Sequence, residues 1–159
     1  MTTRPVIPLA LCAVMALSAG CSPKRIPGTE IEDKGDNRAV YEVVRAYQKA
    51  LEGRDAAAIL ALVSPAYFDA AGTPDPADDL DRARLEQNLP ADLAKLEGVR
   101  VDVTVRRIDV QGDTATAEIF YEDYYRVQTT SGAVPRRDAD VHRLLLKKID
   151  GQWKIAAGL

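Results

Sequence analysis

Leu144–Leu159, LLLKKIDGQWKIAAGL, carries an Asp-Gly pair between two apolar runs. Asp-Gly at the centre of a two-residue turn accepts the positive φ angles that a tight hairpin demands, so the flanking runs read as paired antiparallel strands. The chain therefore finishes in a sheet whose neighbouring strands are joined by short turns. Upstream, VRVDVTV puts Val99, Val101, Val103 and Val105 on one face with polar residues on the other, the period of a half-buried strand. The apolar positions then become even-numbered, at Ile108 and Val110. A slip of one residue would turn every later side chain over, so a bulge at Arg106-Arg107 is expected. A turn at QGD (111–113) leads into a long strand, 114–129, and TSGAVPRRD (130–138) separates it from the strand holding His142.

The first half has helical spacing. Val40, Val43, Val44, Tyr47 and Leu51 form one stripe, with Asp36 or Asn37 as the cap and Gly53 as the end. Asp55 caps a second, shorter helix that Ser64-Pro65 stops, and Tyr67-Phe68 follows. A third apolar series, Leu85, Leu89, Leu93 and Leu96, is interrupted by Pro90 and closed by Gly98, which predicts a kink or two short helices. Asp78, Asp79 and Asp81 stand where they cap that segment. Helices first and a strand meander after make the fold α+β: three N-terminal helices on a curved, bulged antiparallel sheet.

The extreme N-terminus has a different character. Arg4 precedes an uncharged apolar run, Val6 to Leu17, and small residues then lead to Cys21. That is the layout of an export signal, and the run is short for a membrane span. LSAGC, Leu17 to Cys21, resembles the lipobox of bacterial lipoproteins. The resemblance implies cleavage before Cys21, diacylglycerol on its thiol, and acyl chains enough for stable anchoring. It also implies export, and with Ser22 next, an address at the outer membrane on its periplasmic side. The expected organisation is a signal peptide over 1–20, a flexible Pro- and Gly-rich tether over 21–35, and one domain over 36–159.

The chain has 159 residues, 21 Lys and Arg against 24 Asp and Glu, and a formal charge of −3. That balance gives no electrostatic footprint for nucleic acid. Of two cysteines, Cys12 lies in the signal and Cys21 at the lipidation position, so a thiolate metal site or a cysteine nucleophile is not expected in the domain. With one histidine, zinc is not expected either. The acidic loop from Asp75 fails calcium-loop spacing at Ala77 and Leu80. No metal and no cofactor is expected.

YQKALEGRDAAAILALVSPAYF (Tyr47 to Phe68) and LLLKKIDGQWKIAAGL, in this order of elements, resemble the nuclear transport factor 2-like superfamily. That group of cone-shaped α+β domains includes ketosteroid isomerase, scytalone dehydratase, SnoaL-type cyclases and many non-enzymatic members. The resemblance implies a pocket between the helices and the concave face of the sheet. Candidate pocket residues are Tyr67, Tyr121, Asp123, Tyr125, Asp140 and His142. If Leu144 and Leu146 face the core, period two brings His142 and Asp140 to the same face; the opposite register puts Val141, Leu145 and Ile149 inward and His142 out. VHRLLLKKI is apolar in both registers. Phe120 and Tyr124 fall on the far face of the long strand, as a candidate interface.

Three roles fit this reading. The first is a lipid-anchored, non-enzymatic module that binds a small apolar molecule or an envelope protein. The second is an acid–base enzyme of isomerase or dehydratase type with Asp123 and His142, because burial raises an aspartate and histidine begins near working pH. The third is a structural module of an envelope complex that forms a homodimer through the outer sheet face.

Overall fold

A computed structural model describes residues 23–159. The signal and Cys21 lie outside the described residues. Three helices pack on one face of a four-stranded antiparallel sheet: α1 (Gly35–Glu52), α2 (Ala56–Leu62), a two-stranded ribbon of β1 (Phe68–Asp69) and β2 (Leu80–Asp81), α3 (Arg82–Ala94), then β3 (Leu96–Gln111), β4 (Thr114–Thr129), β5 (Gly132–Ile149) and β6 (Gln152–Ala157). The main sheet keeps sequence order, β3-β4-β5-β6. No helix among the described residues is long and apolar enough to cross a membrane.

The expected stripe builds α1: Val40 and Val44 are fully buried, and Val43, Tyr47 and Leu51 pack against the core beside them. Its start differs from expectation. Lys34 occupies the cap without a side-chain bond, and Asp36 lies in the first turn. Asp36 is diverted by the sheet, accepting from Lys148 Nζ at 2.7 Å and Trp153 Nε1 at 3.0 Å. Asn37 instead donates to the carbonyl of Glu32. Gly53 ends the helix, and Asp55 and Asp81 cap α2 and α3 by accepting from Ala58 N and Arg84 N.

Pro90 sits inside α3, which runs as one helix with Leu85 and Leu93 buried. Gly98 lies within β3 rather than at the end of the helix. Its positive φ of 59° serves a break in the β3–β4 register between Glu97 and Arg100, a conformation glycine adopts without strain. The second break, between Val105 and Arg107, is the expected bulge, and it returns Ile108 to the face of Val101 and Val105. The Asp150-Gly151 turn has φ of 49° and 78°, the twist that suits a two-residue hairpin. β5 begins earlier than read from the sequence: the 132–138 part of the expected loop pairs with β4, Pro135 included, opposite Arg126.

β3 is an edge strand, and such edges expose unpaired backbone groups. Side chains from α1 and the turn after it take several of them: Arg45 donates to Val103 O, Gln48 to Val101 O and Arg54 to Leu96 O, while Glu52 accepts from Val101 N.

The expected tether is part of the fold from Lys24 onward. Arg25 and Glu32 form an antiparallel bridge, and Asp33 N donates to Lys24 O at 2.7 Å. Ile26 and Ile31 are buried in the main core. Asp33 then ties this hairpin to α1 through a two-pronged ion pair with Arg38. The two isoleucines supply the reason: their burial offsets the entropy of ordering a Pro- and Gly-containing segment.

Candidate functional site

The register of β5 is set by its partners. Leu144 and Leu146 are buried, Val141 and Leu145 are exposed, and the core they join contains Trp153 and Ile155. Period two then sends His142 inward, where it pairs across the ladder with Ile119. On β4 the odd positions Ala115, Ala117 and Ile119 are buried, which places Tyr121 and Asp123 on that same covered face.

Between α1 and this face lies a cavity of about 110 Å³, walled by Tyr47, Leu51, Val101, Val103, Ile119, Tyr121, Asp123 and His142. The rings of Tyr121 and His142 meet edge to face, 4.5 Å between centroids at 65°. Asp123 is the polar focus. Its Oδ1 is buried and has no hydrogen-bond partner. Burial, and then the negative charge of Asp138 opposite it, push its carboxyl above the usual carboxylate range, and the charge of His142 opposes them. Burial also pushes the Tyr47 hydroxyl up, reinforced by the charge of Asp123. The Tyr121 hydroxyl is raised in the same direction, by burial and then by Asp138. The cavity thus offers an apolar wall, two phenols held neutral and a carboxyl biased toward its protonated form. Such a set can donate or accept a hydrogen bond, or carry a proton, at one polar atom of a small ligand.

Three of the candidate residues fall elsewhere. Tyr67 is core, 2% exposed, and its hydroxyl accepts from Leu159 N at 3.3 Å; burial pushes it up to about 12. Asp140 is on the same face of β5 as His142 by strand alternation but is exposed and outside the cavity wall, where it accepts from Val141 N. Tyr125 is half-buried, one step past Asp123 and outside the cavity wall. Sequence reasoning placed Tyr47 and Leu51 on the packed stripe of α1, without separating a cavity wall from a core contact. The phenol within an otherwise aliphatic stripe was the available signal.

On the outer face, Arg106 lies 4.9 Å above the Phe120 ring and Arg137 5.2 Å from the Tyr124 ring. The rings therefore present guanidinium-covered faces, and the exposed aliphatic side chains of this surface are Val141 and Leu145. A wider groove of about 670 Å³ lies at the N-terminal end of α1, between residues 30–37 and 106–110. Its charged groups are largely occupied with one another, as in Lys34–Glu32 and Arg107–Asp109. An open, self-neutralised groove is a weaker ligand site than the apolar cavity with an unpartnered carboxyl oxygen.

Comparison with solved structures finds the same fold in proteins of low identity. A ketosteroid isomerase-like protein from Erwinia carotovora atroseptica aligns at TM-score 0.65 and 17% identity, over 79% of this chain and 94% of that one. A protein from Novosphingobium aromaticivorans, provisionally assigned as a scytalone dehydratase, aligns at 0.65 and 18%, over 77% and 80%. A conserved protein from Planctomyces limnophilus aligns at 0.65 and 14%, over 77% and 92%. No curated protein gives a significant sequence match. The profile of the SnoaL-like domain matches residues 40–158, which takes in α1 from Val40 onward, the whole sheet and every wall of the cavity. The chain belongs to the SnoaL-like domain family, on the nuclear transport factor 2-like fold.

Proposed function

We propose that this is a lipid-anchored envelope protein, held by Cys21 at the periplasmic side of an outer membrane, whose cone pocket binds a small and mainly apolar molecule. The observation that carries the ligand part is the buried, unpartnered Asp123 Oδ1 inside an aliphatic and phenolic wall. A buried polar atom without a partner costs about 1–3 kcal/mol, and a ligand bearing one donor would recover that cost on binding. The cavity is smaller than the roughly 300–1,000 Å³ common for drug-sized ligands, so the ligand is a single-ring or short-chain molecule, or one that protrudes. The anchor rests on the LSAGC signature.

A second reading has its own support. Asp123 is raised and stands within electrostatic range of His142 in the same cavity, an arrangement suited to moving a proton at carbon next to a carbonyl. One experiment separates the two. Cyclohexanone and phenol are titrated into the protein in D₂O while the His142 ring protons and the α-protons of the ketone are followed by NMR. Binding predicts shifts at His142 with α-exchange at the buffer rate; catalysis predicts accelerated exchange that Asp123→Asn abolishes. If neither probe moves His142 and no exchange appears, the pocket reading fails.

A further inference from the structure

The hairpin that replaces the expected tether changes what an anchor at Cys21 would do. Lys24 is already fixed by Asp33 N, and only Ser22 and Pro23 separate it from Cys21. Fully extended, the three steps from Cys21 to Lys24 span at most about 11 Å. Asp33, the other half of that contact, grips Arg38 in the first turns of α1. An acylated Cys21 would therefore be tethered within that reach of a hairpin fixed at the N-terminal end of α1.

Other elements mark the same end. Lys148 donates its backbone N–H to Asp113 O and its ammonium to Asp36, so the β3–β4 turn at Gly112-Asp113 gathers beside the helix start. The cavity lies toward the other end. Tyr47 is about 18 Å along α1 from Gly35 at 1.5 Å per residue, and the β4–β5 turn at Thr130-Ser131 lies farther along the strands past Asp123.

We propose that the N-terminal end of the cone, with the Lys24–Asp33 hairpin and the β3–β4 turn, faces the lipid surface, and that the cavity takes its ligand from the aqueous side. The inference rests on the lipid-anchor reading. Its partner is the bilayer surface, brought there by covalent attachment through the two-residue leash Ser22-Pro23. Charge plays little part, because Lys24, Arg25 and Lys34 are each paired with an acidic neighbour.

The test uses the full chain, processed in cells, purified and reconstituted into phosphatidylcholine vesicles with a small fraction of headgroup spin-labelled lipid. A fluorescent amino acid replaces Asp113 in one variant and Thr130 in another, both exposed positions. Quenching by the spin label is expected to be several-fold stronger at position 113. Equal quenching, or stronger quenching at 130, overturns the orientation. The intact mass of the same samples reports separately on the anchor. If acyl chains are missing, the anchor reading fails by itself; the chain beginning at Cys21, coupled through its thiol to maleimide lipid, then decides the orientation with the same two probes.

Discussion

Tyr121 and His142, on neighbouring strands, meet edge to face with 4.5 Å between ring centroids. The contact lies on the cavity side of β5, where His142 and Asp123 share one small volume. Their coupling has a direction. The charge of His142 lowers the Asp123 carboxyl against the upward pull of burial. His142→Gln should therefore raise the Asp123 titration midpoint further, read from the side-chain carboxyl ¹³C shift against pH. An unchanged or lowered midpoint would disconnect the two residues.

Asp123 itself should be a stability liability at neutral pH. Its folded value is raised above the usual 3.8, so the stability it contributes is complete below about pH 4 and is lost as pH rises through the folded value. Asp123→Asn should gain about 1 kcal/mol at pH 7, with the gain vanishing near pH 3.5. Urea unfolding at both pH values measures this, and a loss at pH 7 would contradict it.

Asp36 should behave in the opposite sense. Lys148 first, then Trp153, hold its carboxyl below the usual carboxylate range. The stability it adds is present above the unfolded value and is lost as pH falls through the folded one. Asp36→Asn should lower the thermal midpoint at pH 7, with a smaller deficit at pH 3. A deficit of equal size at both pH values would mean that the loss is steric.

A residue that fills the cavity should remove binding and leave the fold intact. Val103 is half-buried in the wall. Val103→Phe should weaken binding of the phenol probe at least about tenfold, or about 1.4 kcal/mol, with a thermal midpoint unchanged or higher. Full affinity in this variant would place the ligand elsewhere.

Gly158 has φ of +97°, and a Cβ there would lie 2.3 Å from the carbonyl oxygen of Arg143. Its N–H also donates to Asp69 at 2.7 Å. Gly158→Ala should cost about 2 kcal/mol through this overlap, measured by denaturant unfolding. A neutral result would show that the last residues are free to move aside.

The fold was legible where periodicity and turn chemistry agree. The valines of β3, the odd positions of β4 and the Asp150-Gly151 turn each point to one structure. Residues whose surroundings come from distant chain were not. Leu144 to Ile149 is apolar in both registers, and only Trp153, Ile155 and the β4 partners decide which side His142 takes. Ile26 and Ile31 have no helical or strand period, so a polar Pro- and Gly-containing segment hid two core residues. Tyr67 and Tyr47 are both tyrosines on apolar segments; burial against the C-terminus made one of them core, and the Asp123 cavity made the other a wall. In the site, the inward placement of Tyr121 and Asp123 follows from strand alternation alone, whereas the α1 side of the pocket depends on how the helix crosses the sheet.

The bulge between Val105 and Arg107 has a consequence for insertions and deletions. Upstream of it, Val101 and Val103 line the cavity; downstream, Ile108 belongs to the core. Removing one residue here would leave the chemistry of every side chain intact and still force a choice: either the valines turn to solvent or Ile108 does. Residue count across this short span is thus as strict a requirement as residue identity. Homologues that differ freely in sequence along β3 should nevertheless keep its length.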